Sequence, residues 1–116
     1  MSTYEDRAEQ LGFAPKDEIK SLSHSEEVVF LDVRGESEIE AEPLGGDFKI
    51  VYCPCSRTDA TELVNKSSEI LPDKSAPIVI FCRSGARAKT GKEALEAIGY
   101  TKIYNAGGVC DMDYLL

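Results

Sequence analysis

The sequence predicts an α/β fold: an open, mainly parallel sheet of about five strands, covered by helices on both faces to give three layers. Three observations predict it. Apolar, β-branched runs stand at 28–33 (VVFLDV), 49–53 (KIVYC) and 78–82 (IVIFC), each too short for a helix and each stopped by polar, Gly or Pro residues. The stretches between them carry apolar residues at helical spacing, and strand–helix alternation implies right-handed crossovers in a parallel sheet. The 116-residue length fits one domain, taken as residues 1–116, that buries roughly two-thirds of the surface its unfolded chain exposes.

The elements follow in chain order. GFA at 12–14 reads as a marginal edge strand. Pro15 suits a first helical position, with Ile19 and Leu22 turned inward. The run at 28–33 is a buried strand, and residues 35–47 (GESEIEAEPLGGD) are irregular enough to predict a short helix followed by a loop. After the strand at 49–53, Ser56-Arg57-Thr58-Asp59 resembles a capping box ahead of Leu63, Val64, Ile70 and Leu71, which share one stripe. The strand at 78–82 leads into a second stripe, Ala88, Gly91, Leu95 and Ile98, ended near Gly99. KIY at 102–104 supplies a further strand.

Composition narrows the function. With 21 acidic and 13 basic residues the formal charge is −8, which makes phosphate backbones and anionic lipid surfaces poor partners. The acidity lies in residues 1–50, while Arg83, Arg87, Lys89 and Lys92 crowd into ten acid-free residues. An anionic chain therefore keeps one local site for a small anion. No apolar run approaches the roughly 18 residues of a membrane helix, and the opening MSTYEDRAEQ lacks the basic start and apolar stretch of a signal peptide. The expected location is cytoplasmic. Four cysteines in a chain with a workable core then predict reduced thiols instead of a disulfide framework.

The chemistry concentrates at Cys82. Ligands of open parallel sheets bind at the carboxyl ends of strands, and the run IVIFC ends on this cysteine before a Gly-containing turn enters a helix. The backbone N–H groups of residues 83–87 are able to curl into an anion-binding nest at the helix N-terminus, and Arg83 and Arg87 add full charges. Such surroundings favour a thiolate, the nucleophilic form. The alternative is a small apolar residue that merely finishes a buried strand.

The segment Cys82-Arg83-Ser84-Gly85-Ala86-Arg87 resembles the active-site loop of the rhodanese family of sulfurtransferases. Leu31-Asp32-Val33-Arg34 and Asn105-Ala106-Gly107-Gly108 match two further landmarks of that family in order and spacing, so the resemblance spans roughly residues 12–110. It implies a rhodanese-like fold and thiosulfate sulfurtransferase activity. By the same resemblance Cys82 carries a persulfide, Arg83 and Arg87 hold the anionic donor, and the amides of Ser84, Gly85 and Ala86 cradle the transferred sulfur. Asp32 braces the loop. The donor is thiosulfate or another persulfide, the acceptor a thiol, cyanide or a protein thiol, and neither cofactor nor metal is required. A sulfur-carrying or regulatory module that turns over slowly by itself is the second functional class. The chain departs from the family pattern at Glu42-Pro43-Leu44-Gly45-Gly46, where a His-x-Pro-Gly-Ala turn is usual, and it has no aromatic residue directly after Gly107-Gly108.

Rival motifs fit less well. Phosphatases and arsenate reductases of related architecture use a Cys-x5-Arg loop, one residue longer than the Cys-x4-Arg segment closed by Arg87. Gly85–Glu93 has one residue too many between its glycines for a nucleotide loop, and Glu93 stands where a magnesium-binding Ser or Thr belongs. His24 is the only histidine, and a thiolate already ionised needs no general base. Cys53-Pro54-Cys55 reads as buried structure, as a resolving or sulfur-receiving thiol near Cys82, or as a weak zinc site.

Overall fold

The computed structural model describes residues 3–116. In chain order the elements are α1 (Tyr4–Leu11), α2 (Lys16–Leu22), β1 (Val29–Asp32), α3 (Glu36–Ala41), β2 (Ile50–Tyr52), α4 (Thr61–Ile70), β3 (Ile78–Cys82), α5 (Ala86–Ala97) and β4 (Ile103–Gly108), followed by two single-turn 3₁₀ helices. The strands form one parallel sheet in the order β2-β1-β3-β4. The chain runs outward from β1 to β2, crosses back to β3 and continues to β4. The switch point where a parallel sheet opens a ligand crevice therefore lies between the carboxyl ends of β1 and β3. Asp32 ends one of these strands and Cys82 the other.

β1 and β3 are buried at every position, which is why each reads as a continuous apolar run. Alternate residues face opposite ways. Val29, Leu31, Ile78, Ile80 and Cys82 pack with Leu63, Ala88 and Leu95 on one side of the sheet. Phe30, Val79 and Phe81 pack with Ile19 and Met112 on the other. Helices thus cover both faces.

Three boundaries differ from the sequence expectation. The sheet has four strands, and the fifth candidate at 12–14 reduces to a single parallel bridge between Phe13 and Asn105. Gly12, at φ 70°, ends α1 immediately before it, and Pro15 has no N–H with which to extend a ladder. Pro15 itself stands one residue before α2. The Ser56 side chain closes its own turn by accepting the Thr58 and Asp59 amides, so α4 starts after Ala60 without a side-chain cap.

Two segments go beyond the expectation. α1 was not legible as a helix, for it is polar and buries no residue. β4 continues past KIY through Asn105–Gly108, where glycine would ordinarily argue against a strand. The close approach explains Gly108: a Cβ there would collide with the Arg83 carbonyl.

Candidate active site

β3 carries Cys82 to the sheet edge, where its side chain is fully buried. The chain then turns through Arg83, Ser84 and Gly85, and α5 begins at Ala86. Gly85 has φ 99°, a left-handed conformation that suits glycine, and a Cβ at this position would run into the Phe13 ring. This geometry aims the Gly85 N–H at the Cys82 sulfur, with a donor–acceptor distance of 3.0 Å. The loop is pinned from behind by Asn105, itself fully buried, whose amide donates to the Gly85 carbonyl at 3.1 Å while its oxygen accepts the Gly107 N–H at 2.9 Å.

The two arginines take different positions. Arg87 donates from both terminal nitrogens to the two Glu38 oxygens, each at 2.8 Å. The pair fixes both charges: hydrogen bonding to Arg87 outweighs burial and, with the Gly35 amide, brings the Glu38 carboxyl down to about 2. The Arg87 guanidinium is pushed above its ordinary value, first by Glu38 and also by the nearby Cys82 sulfur. Arg83 is exposed and has no ion pair among the described residues. It lines a cavity of about 220 Å³ together with Arg34, Glu38, Ala41, Glu42 and Val109. Of the two arginines expected to meet an anion, Arg83 is the one free to do so directly, whereas Arg87 is already held by a carboxylate.

Asp32 and Arg34 form a buried pair, 1% and 2% exposed, joined by Nη2–Oδ2 and Nε–Oδ1 bonds of 2.8 and 3.0 Å. Burial works against the Arg34 charge, but Asp32 more than compensates and raises its pKa. Arg34 also donates to the Glu38 and Glu42 carbonyls at 3.4 and 2.8 Å, which ties α3 to the end of β1. Asp32 therefore acts through Arg34 on the helix that presents Glu38 to Arg87.

The remaining cysteines are all unpaired. Cys53 lies in the core, and burial pushes its thiol up. Cys55 donates to the Arg87 carbonyl at 3.3 Å, and burial together with the neighbouring Cys82 pushes it up to about 11. Cys110 is exposed and also raised, chiefly by burial of its sulfur and by Asp111. These three surroundings disfavour a thiolate: the backbone hydrogen bonds at Cys55 and Cys110 do not offset burial.

Glu38 escaped the sequence reading. Its one signal was its place three residues after Gly35, whose N–H it caps at 3.1 Å. That contact yields a prediction. Because the Glu38 pKa is depressed in the folded state, its contribution to stability is complete above the unfolded value near 4.5 and disappears as pH falls toward about 2. Glu38→Gln should cost about 1 kcal/mol at pH 7, given the partial exposure of the pair, and progressively less as pH falls through about 2. Thermal melts of both proteins across that range check it; an equal difference at both ends would be the wrong result.

The family model described as a rhodanese-like domain matches residues 15–109. The thiosulfate sulfurtransferase PspE of Escherichia coli (strain K12) is 28% identical over 83 residues, covering 72% of this chain and 72% of its own length. A structure of a rhodanese with anions from E. coli superposes with a TM-score of 0.58 at 26% identity, over 74% of this chain and 92% of that one. The polysulfide-sulfur transferase homodimer of Wolinella succinogenes gives 0.63 at 26% identity, over 90% and 79%. The matched span contains β1–β4 and the Cys82 loop, and it leaves out α1 and everything after Val109.

Proposed function

We propose that this chain, which belongs to the rhodanese-like domain family, is a sulfurtransferase that carries sulfane sulfur as a persulfide on Cys82. The single observation that carries the reading is the Gly85 N–H directed at the Cys82 sulfur, buried at the carboxyl end of β3, with the Arg87 guanidinium near it. The amide hydrogen bond and the cation lie where the reaction requires an anionic sulfur, both for attack and for departure. The related sulfur-transfer proteins from E. coli and W. succinogenes support the same reaction class.

The reaction balances without a general base. The Cys82 thiolate attacks the outer sulfur of the donor; a new S–S bond forms, the donor S–S bond breaks, and its electron pair leaves with the remainder, as sulfite when the donor is thiosulfate. An acceptor thiolate or cyanide then attacks the outer sulfur of the persulfide and returns the electron pair to Cys82. Arg83 at the cavity mouth meets the anionic donor. The Ser84, Gly85 and Ala86 amides surround the carried sulfur, Arg87 supplies positive charge nearby, and Asp32 keeps α3 in place through Arg34.

Thiosulfate is the donor we favour, because Arg83 is a free cation beside the cavity and the E. coli relative is named for that substrate. Thiols, a protein thiol among them, and cyanide are the proposed acceptors. Four unpaired cysteines support a reducing, cytoplasmic setting, and no helix among the described residues is long and apolar enough to cross a membrane. Nucleic acid is a poor partner for a chain of charge −8.

The complete burial of Cys82 favours a second reading, a sulfur carrier that opens for a partner and turns over slowly alone. Thiocyanate production from thiosulfate and cyanide separates the two. Many turnovers per Cys82 support the enzyme. A single load released only by a thiol protein supports the carrier, and failure to load Cys82 from either thiosulfate or polysulfide contradicts both.

A further inference from the structure

Arg7 lies on α1, far in sequence from Cys82, yet its Nη1 donates to the Ser84 carbonyl at 3.0 Å. The same guanidinium is gripped by Asp111, with Nη1–Oδ2 and Nη2–Oδ1 each at 2.8 Å. Asp111 Oδ2 accepts the Gly108 N–H at 2.9 Å as well, and Gly108 is the ladder partner of Cys82. Arg7 further packs its guanidinium 5.8 Å from the centre of the Phe13 ring, the ring that fills the space beside Gly85. Burial opposes the Asp111 charge, but the Arg7 and Gly108 hydrogen bonds prevail and hold its carboxyl below the ordinary range. Arg7 and Asp111 both lie outside the span matched by the family model, so the clasp is built by the two ends of this chain.

The Ser84–Gly85 peptide is the link to the reactive sulfur. A planar trans peptide points its C=O and N–H in opposite directions. Here the C=O end is held by Arg7 and the N–H end donates to Cys82 Sγ, both at 3.0 Å. Gly85 permits either sign of φ, so the plane of this peptide is free to rotate unless something outside the loop fixes it. A cation on the carbonyl also polarises the peptide and strengthens its N–H as a donor. We propose that Arg7, oriented by Asp111, is a positioning residue for Cys82: it holds the Ser84–Gly85 peptide in the one orientation that presents an amide to the sulfur. The inference deepens the persulfide reading and rests on it for its role in sulfur transfer.

The test is the pH dependence of Cys82 alkylation by iodoacetamide, read on the Cys82 peptide by mass spectrometry, in the wild type, Arg7→Met, Arg7→Lys and Asp111→Asn. Groups facing Cys82 from the packed elements are Arg87 on α5 and Cys55 after β2, with Arg83 adjacent in the chain; all are retained in these variants. Arg7→Met should slow Cys82 alkylation about tenfold at neutral pH and move its midpoint upward, because a bond to the anionic form is lost. Arg7→Lys, whose single ammonium replaces a three-bond fork, should move it in the same direction by less, and Asp111→Asn likewise. Sulfur loading should fall in step. A lowered melting temperature with an unchanged Cys82 profile would make Arg7 a mere brace and overturn the proposal. Should Arg7→Met fail to fold, the Arg7→Lys profile decides by the same criterion. Alkylation requires no sulfur donor, so a wild type that loads no sulfur would defeat the proposed function while leaving the Arg7 result to stand or fall by its own measurement.

Discussion

Asp32→Ala should destabilise the protein by about 3–5 kcal/mol, because it leaves the Arg34 guanidinium buried with its charge unpaired. For a chain of this size that corresponds to a melting temperature lower by roughly 12–20 °C. The loss should extend to the site. Arg34 holds the Glu38 and Glu42 carbonyls, so a disturbed guanidinium loosens α3 and the Glu38–Arg87 pair with it. Replacing both partners, as Asp32→Ala with Arg34→Met, should recover much of the stability, since an apolar pair in the same space has no uncompensated charge. A single variant that melts within a degree or two of the wild type would refute the account of this pair.

Cys82→Ala should reduce sulfur transfer to the uncatalysed background while the protein stays folded, for it removes the sulfur proposed to form the covalent intermediate. The small volume lost from the core should cost about 1 kcal/mol. Cys53→Ala with Cys55→Ala is the contrasting variant. Cys53 is core, and Cys55 is held by the Arg87 carbonyl with its thiol pushed up to about 11, so loading of Cys82 should persist and at most the hand-off to a thiol acceptor should weaken. Rates of thiocyanate formation measure the first variant; mass spectrometry of the Cys82 peptide and the rate of transfer to a thiol acceptor measure the second. Substantial activity in Cys82→Ala, or loss of Cys82 loading in the folded double variant, would reassign the nucleophile.

The legible parts of the sequence are those where a local pattern has one physical solution. β1 and β3 are buried on both faces, which demands apolar residues at every position, and the pattern stops where the switch-point crevice begins. That pattern alone places Cys82 at a strand end. The stripe Ala88, Gly91 and Leu95 likewise marked the buried side of α5. What stayed hidden depends on tertiary contacts. α1 has no buried residue and is held by an ion pair to Asp111, 104 residues away. β4 could extend through glycines because the Arg83 carbonyl occupies the space of a side chain at Gly108. Ser56 looked like a cap until its hydroxyl was committed to its own turn. The partner of Arg87 is not legible in the sequence because Glu38 comes from a segment that predicts only a short helix and a loop.

Peptide-resolved mass spectrometry after incubation with thiosulfate, and separately with polysulfide, measures directly where the sulfur goes. The predicted result is one added sulfur atom on the Cys82 peptide, removable by a reductant or by cyanide, with Cys53, Cys55 and Cys110 unmodified. Sulfur on any of those three while Cys82 stays bare in the folded protein would contradict it.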